Sequence, residues 1–151
     1  MKDFTIKAVA SGLGTGYAPI FPGTWGTLPG VLLAWLLFDW GWEVQVGLTL
    51  AALVIGVWSA TRAESYYGID NKKIVIDEIG GILVAYVLVP HVWQYYLIGF
   101  IIFRILDIWK PYPAANWEAF PGGWGTVADD FAVGVYTNVL LQMIALFGFW
   151  L

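Results

Sequence analysis

Five apolar stretches dominate the chain, and the breaks between them are charged or rich in glycine and proline. They run over residues 28–40, 44–61, 74–89, 92–110 and 129–151. Pro90 closes the third, and Pro111 and Pro113 stop the fourth, because proline lacks the N–H that a helix interior requires. At about 1.5 Å rise per residue the fourth and fifth can cross a hydrocarbon layer of ~30 Å, whereas the first and third are short. The pattern predicts an all-α fold: a small polytopic membrane helical bundle of about five apolar helices, some of them partial crossings. Composition agrees, since 60% of the 151 residues are hydrophobic and 12% charged, with a mean hydropathy of +0.73.

That length suits one domain over 1–151. A net charge of −4 without a basic block argues against a nucleic-acid partner. With no cysteine, disulfides and a cysteine nucleophile are excluded. The first ten residues lack the apolar run and small-residue site of a removable signal peptide, so they are read as mature protein.

Irregular backbone is tolerated at membrane depth only where it is buried in protein or lines a wet cavity, so the Gly-rich segment 11–27 is expected to pack over a polar pocket. Part of it echoes later: FPGTWGTL at 21–28 returns as FPGGWGTV at 120–127, each copy just before an apolar helix. Two readings stand. The copies are similar helix-entry loops, or their exposed N–H groups hold an anionic head group, with Thr24, Gly26 and Thr27 as the substrate-binding positions.

Threading five antiparallel helices puts the N-terminal arm, residues 62–73 and residues 110–130 on one face. That face holds Lys2, Lys7, Arg62, Lys72, Lys73, Arg104 and Lys110, while the other carries Asp39, Glu43 and His91. By the positive-inside rule the cation-rich face is cytoplasmic.

Ionisable groups inside apolar segments cost about 2.5–3.5 kcal/mol each on insertion scales, so they call for a reason. Seven lie at the cytoplasmic ends of the predicted helices: Asp77 and Glu78 opening the third, Arg104, Asp107 and Lys110 closing the fourth, and Asp129 and Asp130 opening the fifth. Three acidic groups on separate helices suit a hard divalent cation such as Mg²⁺, which takes oxygen ligands and retains waters. Arg104 and Lys110, at i and i+6 with Asp107 between, suit phosphate oxygens. Helix capping and a structural Arg104–Asp107 pair explain single residues, and a cation-transport site explains the whole set as an alternative. The one histidine, His91, belongs to the opposite face, which leaves a metal-activated water as the simplest nucleophile.

The segments SGLGTGYAPIFPGTWGT at 11–27, IVIDEIGG at 74–81, FRILDIWKPYP at 103–113 and GGWGTVADD at 122–130 resemble, in order, the motifs of the phosphatidylglycerophosphatase A family. The resemblance implies Mg²⁺-dependent hydrolysis of phosphatidylglycerophosphate to phosphatidylglycerol and phosphate at the inner leaflet of the bacterial cytoplasmic membrane. It maps the family acids, as metal ligands, onto Asp77, Glu78, Asp107, Asp129 and Asp130, and the family cations onto Arg104 and Lys110. A carboxylate not engaged directly with metal, with Glu78 the candidate, is expected to take the proton of the water. A phosphatase of a related lipid phosphate is the nearer alternative.

Overall fold

The computed structural model describes residues 2–69 and 71–147; the side chain of Lys2 and the end of the fifth apolar stretch, 148–151, lie outside the described residues. The described residues form seven α-helices and two 3-10 turns, without a strand: α1 (Lys2–Ala10), α2 (Pro22–Leu37), α3 (Trp42–Tyr67), α4 (Ile76–Tyr86), α5 (Trp93–Trp109), α6 (Ala114–Trp117) and α7 (Gly123–Leu146), with turns at Thr15–Tyr17 and Phe38–Trp40. The fold is all-helical, as expected.

Helices α1 and α2 depart from the sequence reading at the N-terminal side of the fold. α1 was not expected; its Asp3 and Lys7 complement the helix dipole, and Ile6 and Ala10 bury against Ala60 and Ala63 of α3. α2 starts six residues earlier than expected. Pro22 takes the first helical position, where its missing N–H costs nothing, and the Gly-Thr-Trp-Gly-Thr run continues the helix. Tertiary packing overrides the weak local propensity of that run: Gly26 lies against Val75 with no room for a Cβ, and Thr27 is fully buried, its hydroxyl donating to the Gly23 carbonyl at 2.8 Å.

Among the described residues one helix, α3, is both long and apolar enough to cross a bilayer. At 16, 11 and 17 residues, α2, α4 and α5 rise about 24, 17 and 26 Å. α7 has 24 residues but carries Asp129, Asp130, Asn138 and Gln142. Five full crossings are therefore not what the helix lengths give.

The shortest of these helices, α4, is the centre of the bundle. It is apolar nearly all round and packs on α7, α2 and α3, burying Ile82, Leu83, Ala85 and Tyr86. A helix that ends inside a bundle leaves carbonyls that need partners. Here α7 supplies them: Asn138 donates to the carbonyls of Ala85 and Val87 at 3.0 and 2.7 Å, and Gln142 donates to those of Val87 and Leu88. From α3, Gln45 accepts from the Leu88 N–H at 2.8 Å and donates to the Phe38 carbonyl at 2.9 Å. These three amides are why irregular backbone is sustained there. Replacing Asn138 with Leu strands the Ala85 carbonyl, leaves that of Val87 to Gln142 alone, and is expected to destabilise the protein by about 1–3 kcal/mol, read as a lower thermal unfolding midpoint in detergent; an unchanged midpoint would show that the amide does not hold the end of α4.

Candidate active site

Residues at one end of the bundle enclose a polar cleft of about 1220 Å³, walled by the 16–23 segment, the 71–74 connection and the ends of α4, α5 and α7. The expected pocket under the Gly-rich segment is therefore present. All seven ionisable residues singled out from the sequence line it: Asp77, Glu78, Arg104, Asp107, Lys110, Asp129 and Asp130.

Each arrives by a local rule. Asp77 and Glu78 occupy the first turn of α4, where the free N–H groups and the dipole favour anions. Arg104 and Asp107 are one turn apart on α5 and form an ion pair at 2.5 Å. Asp129 and Asp130 were expected at the start of a helix, but α7 begins at Gly123, so they sit in its second turn and are not caps. Lys110 follows α5 in the left-handed conformation, φ 47°, and its N–H closes the helix on Leu106 at 2.7 Å. That backbone is uncommon for a residue with a side chain, and it turns the ammonium onto Asp129 at 2.6 Å and onto Glu118. Burial works against the Lys110 charge, but the Asp129 and Glu118 carboxylates outweigh it and raise the pKa above the usual lysine value.

The five acids divide into two groups. Asp107 and Asp129 are each held by a cation. Asp77, Glu78 and Asp130 instead present carboxylate oxygens within 4.8 Å of one another. Asp77 and Asp130 have no ion-pair partner among the described residues, and the nearest cation to Glu78 is the Arg104 Nη1 at 3.9 Å. Buried oxygens of Asp77 and Glu78, and the Nε of Arg104, have no hydrogen-bond partner in the protein. Mg²⁺ holds oxygens at about 2.0–2.1 Å on near-octahedral axes, which separates neighbouring and opposite ligands by roughly 3–4 Å. The three-acid cluster fits that donor set with small closure, and its orphaned oxygens are what a hard cation would satisfy.

The threonine and glycine positions expected at the phosphate behave differently. Thr24, Gly26 and Thr27 do not line the cleft; the Thr27 hydroxyl is turned back into its own helix and Gly26 faces Val75. What α2 brings to the cleft is its N-terminus. Pro22 and Gly23 line it, Phe21 caps the helix without a side-chain bond, and a Cβ on Gly23 would run into the Glu78 carboxylate and the Arg104 guanidinium. The second copy of the echo serves another purpose. Gly123 donates to the Thr61 hydroxyl at 3.0 Å, Thr126 donates to Glu64 at 2.7 Å, and the copy lines a separate hollow. Glu118, Asn71, Lys72 and Lys73 also belong to the site region and were missed from sequence; each lies in a polar connection, where no apolar surroundings mark a charge as unusual. His91 pairs with Asp39 at 2.7 Å and packs on Trp35, outside the cleft.

A family model for phosphatidylglycerophosphatase A matches residues 8–145. The chain belongs to the phosphatidylglycerophosphatase A family. Membership makes it an enzyme of the phosphoric monoester hydrolase class. Among its relatives, a Bacteroides thetaiotaomicron protein provisionally named phosphatidylinositol-3-phosphatase is 36% identical, with 93% of this chain and 94% of that protein covered. The phosphatidylglycerophosphatase A proteins of Escherichia coli K12 and Haemophilus influenzae are 34% and 30% identical, over 90% and 92% of this chain and 81% and 88% of theirs. No solved structure matches the chain.

Because a Cβ at position 23 must displace Glu78 or Arg104, Gly23→Ala is expected to keep the helical content and unfolding midpoint of the parent while phosphatase turnover falls roughly 10- to 100-fold. Circular dichroism beside a phosphate-release assay reads both, and full turnover would show that α2 does not set the position of these two groups.

Proposed function

We propose that the protein is a Mg²⁺-dependent phosphatase that removes the terminal phosphate of phosphatidylglycerophosphate at the cytoplasmic face of the bacterial inner membrane. The observation that carries this reading is the convergence of Asp77, Glu78 and Asp130, three carboxylates without a close cation, beside Arg104 and Lys110 in one open cleft. Asp77, Glu78 and Asp130 would hold the ion. When bound, Mg²⁺ supplies a Lewis acid for a phosphate oxygen and lowers the pKa of a water.

The rest of the chemistry falls to the chain's own groups. Arg104 offers its fork, with Nε free of protein partners, and Lys110 its point charge to the equatorial oxygens of the phosphate. The Gly23 N–H group, in the uncapped first turn of α2, donates to a further oxygen. The Glu78 carboxylate oxygen that does not hold the ion takes the proton of the attacking water. Asp107 and Asp129 are positioning residues that keep Arg104 and Lys110 aimed at the cleft.

The bilayer reading follows the charges. Lys7, Lys72, Lys73 and Lys110 share the cleft end of the molecule and Asp39 and His91 pair elsewhere, so the positive-inside rule sets the cleft toward the cytoplasm. α3 crosses, and the shorter apolar helices enter part-way around it.

A second reading has support from the Bacteroides relative, whose name specifies a different lipid phosphate. The cluster would treat any phosphate monoester alike, so the two readings differ in the head group alone. Phosphate release from bilayers containing phosphatidylglycerophosphate, phosphatidylinositol 3-phosphate or phosphatidic acid separates them. Release from the first is expected to be fastest, to stop with EDTA and return with Mg²⁺, and to fall by about 10²-fold or more in Asp77→Asn and Asp130→Asn. Retained release in both variants would overturn the site, and faster release from phosphatidylinositol 3-phosphate would transfer the substrate to the second reading.

A further inference from the structure

Beside the polar cleft runs a second concavity of about 580 Å³ whose lining is almost wholly apolar. One wall is a stripe on the outward face of α2, Trp25, Leu28, Leu32 and Trp35, spaced three, four and three residues apart, as one face of a helix requires. Trp93 and Tyr96 of α5 close its far end. Resting on the lipid-phosphatase reading above, we propose that this groove seats one acyl chain of the substrate phospholipid while its phosphate monoester lies in the cleft.

Two observations select that occupant. The groove and the cleft adjoin at one end, lined by neighbouring residues of the same two stretches of chain: Thr15 lines the groove and Gly16 and Tyr17 the cleft, while on α2 Gly23 lines the cleft and Trp25 the groove. A molecule with a phosphate at one end and an apolar chain at the other can fill both across that junction. The length also suits it. The stripe from Trp25 to Trp35 rises about 15 Å, half of a ~30 Å hydrocarbon core and so the depth of one leaflet.

The groove's effect is alignment rather than affinity. A chain moving from the bilayer into it exchanges one apolar surrounding for another, with little hydrophobic gain. What it gains is register: a chain held along α2 fixes the depth and direction from which the head group reaches Gly23, Glu78 and Arg104, and placement of that kind is worth rate. Leu28 and Leu32 are 41% and 58% exposed, so enlarging them fills the groove without disturbing the core.

Two measurements on the full chain test this. In the first, kcat/KM is compared for dioleoyl and water-soluble dihexanoyl phosphatidylglycerophosphate. The long-chain to short-chain ratio is expected to fall about tenfold in the Leu28→Trp, Leu32→Trp double variant. In Val54→Trp, an equally apolar and exposed change on α3, the ratio should stay at the parent value. An unchanged ratio in the double variant overturns the groove alone. Hydrolysis of neither lipid by the parent protein overturns the enzymatic reading, and the groove with it. The second measurement needs no turnover. A long-chain phosphate monoester lipid with a diazirine at the chain end is expected to label α2 between Leu28 and Trp35 in the parent and to lose that label in the double variant. Equal labelling there by a diazirine lipid lacking the phosphate monoester would mean that bulk lipid occupies the groove, and would overturn the proposal.

Discussion

The crossing of α4 over α7 is the contact on which the site depends. No other pair of helices packs as extensively, and the approach is close because glycine faces backbone on both sides. A Cβ on Gly81 would strike the carbonyl of Asp130, and one on Gly134 would strike the carbonyl of Gly81. In an apolar surrounding, where burying one more aliphatic side chain brings little, close packing through small residues is what holds helices together. The same approach brings the first turn of α4, with Asp77 and Glu78, level with Asp130 in the second turn of α7. The acid cluster is thus a direct consequence of two glycines several residues away.

That arrangement is electrostatically unfavourable unless positive charge enters it. Carboxylates within 4.8 Å of one another repel by about 3 kcal/mol or more per pair at an effective dielectric of ~20. Burial of Asp77 and Asp130 removes the water that would screen them. Arg104 and Lys110 relieve little of the repulsion, since their shortest ion pairs go to Asp107, Asp129 and Glu118 and Arg104 reaches Glu78 only at 3.9 Å. Two of the cleft's five acids, with Glu118 beside them, therefore fix the cations, and three are left for something else. A purely structural network would pair each charge with its nearest opposite; this one keeps its acids grouped around a common point.

Much of this was legible in the sequence because charges inside apolar runs are conspicuous. Asp77, Glu78, Arg104, Asp107, Lys110, Asp129 and Asp130 stood out for that reason, and all seven reach the cleft. What was not legible depends on contacts that local pattern does not encode. The run Gly23–Thr27 reads as a loop, yet Val75 and the buried Thr27 make it helical. The same reading put Thr24, Gly26 and Thr27 forward for the phosphate, whereas α2 lines the cleft with Pro22 and Gly23. Asp129 and Asp130 read as a helix start, whereas α7 begins over the Thr61 hydroxyl and carries them inward by two turns. The repeat FPGxWGT looked like one device used twice. One copy opens on the cleft and the other seals α7 against α3, so closely similar local sequence has different duties in different surroundings.

The polar side chains that sequence reasoning passed over explain how such short helices coexist with so apolar a chain. Gln45, Asn138 and Gln142 lie outside the cleft lining, far along their helices from its acids, and their amides bind the backbone where α4 ends at Tyr86. Without them the last carbonyls of α4 would be left without partners in the bundle. A central helix that stops inside the bundle is free to be positioned by its packing on α7, α2 and α3. Its length is then set by the site: eleven residues suffice to carry Asp77 and Glu78 at one end, the Gly80-Gly81 contact in the middle and the amide-capped terminus at the other.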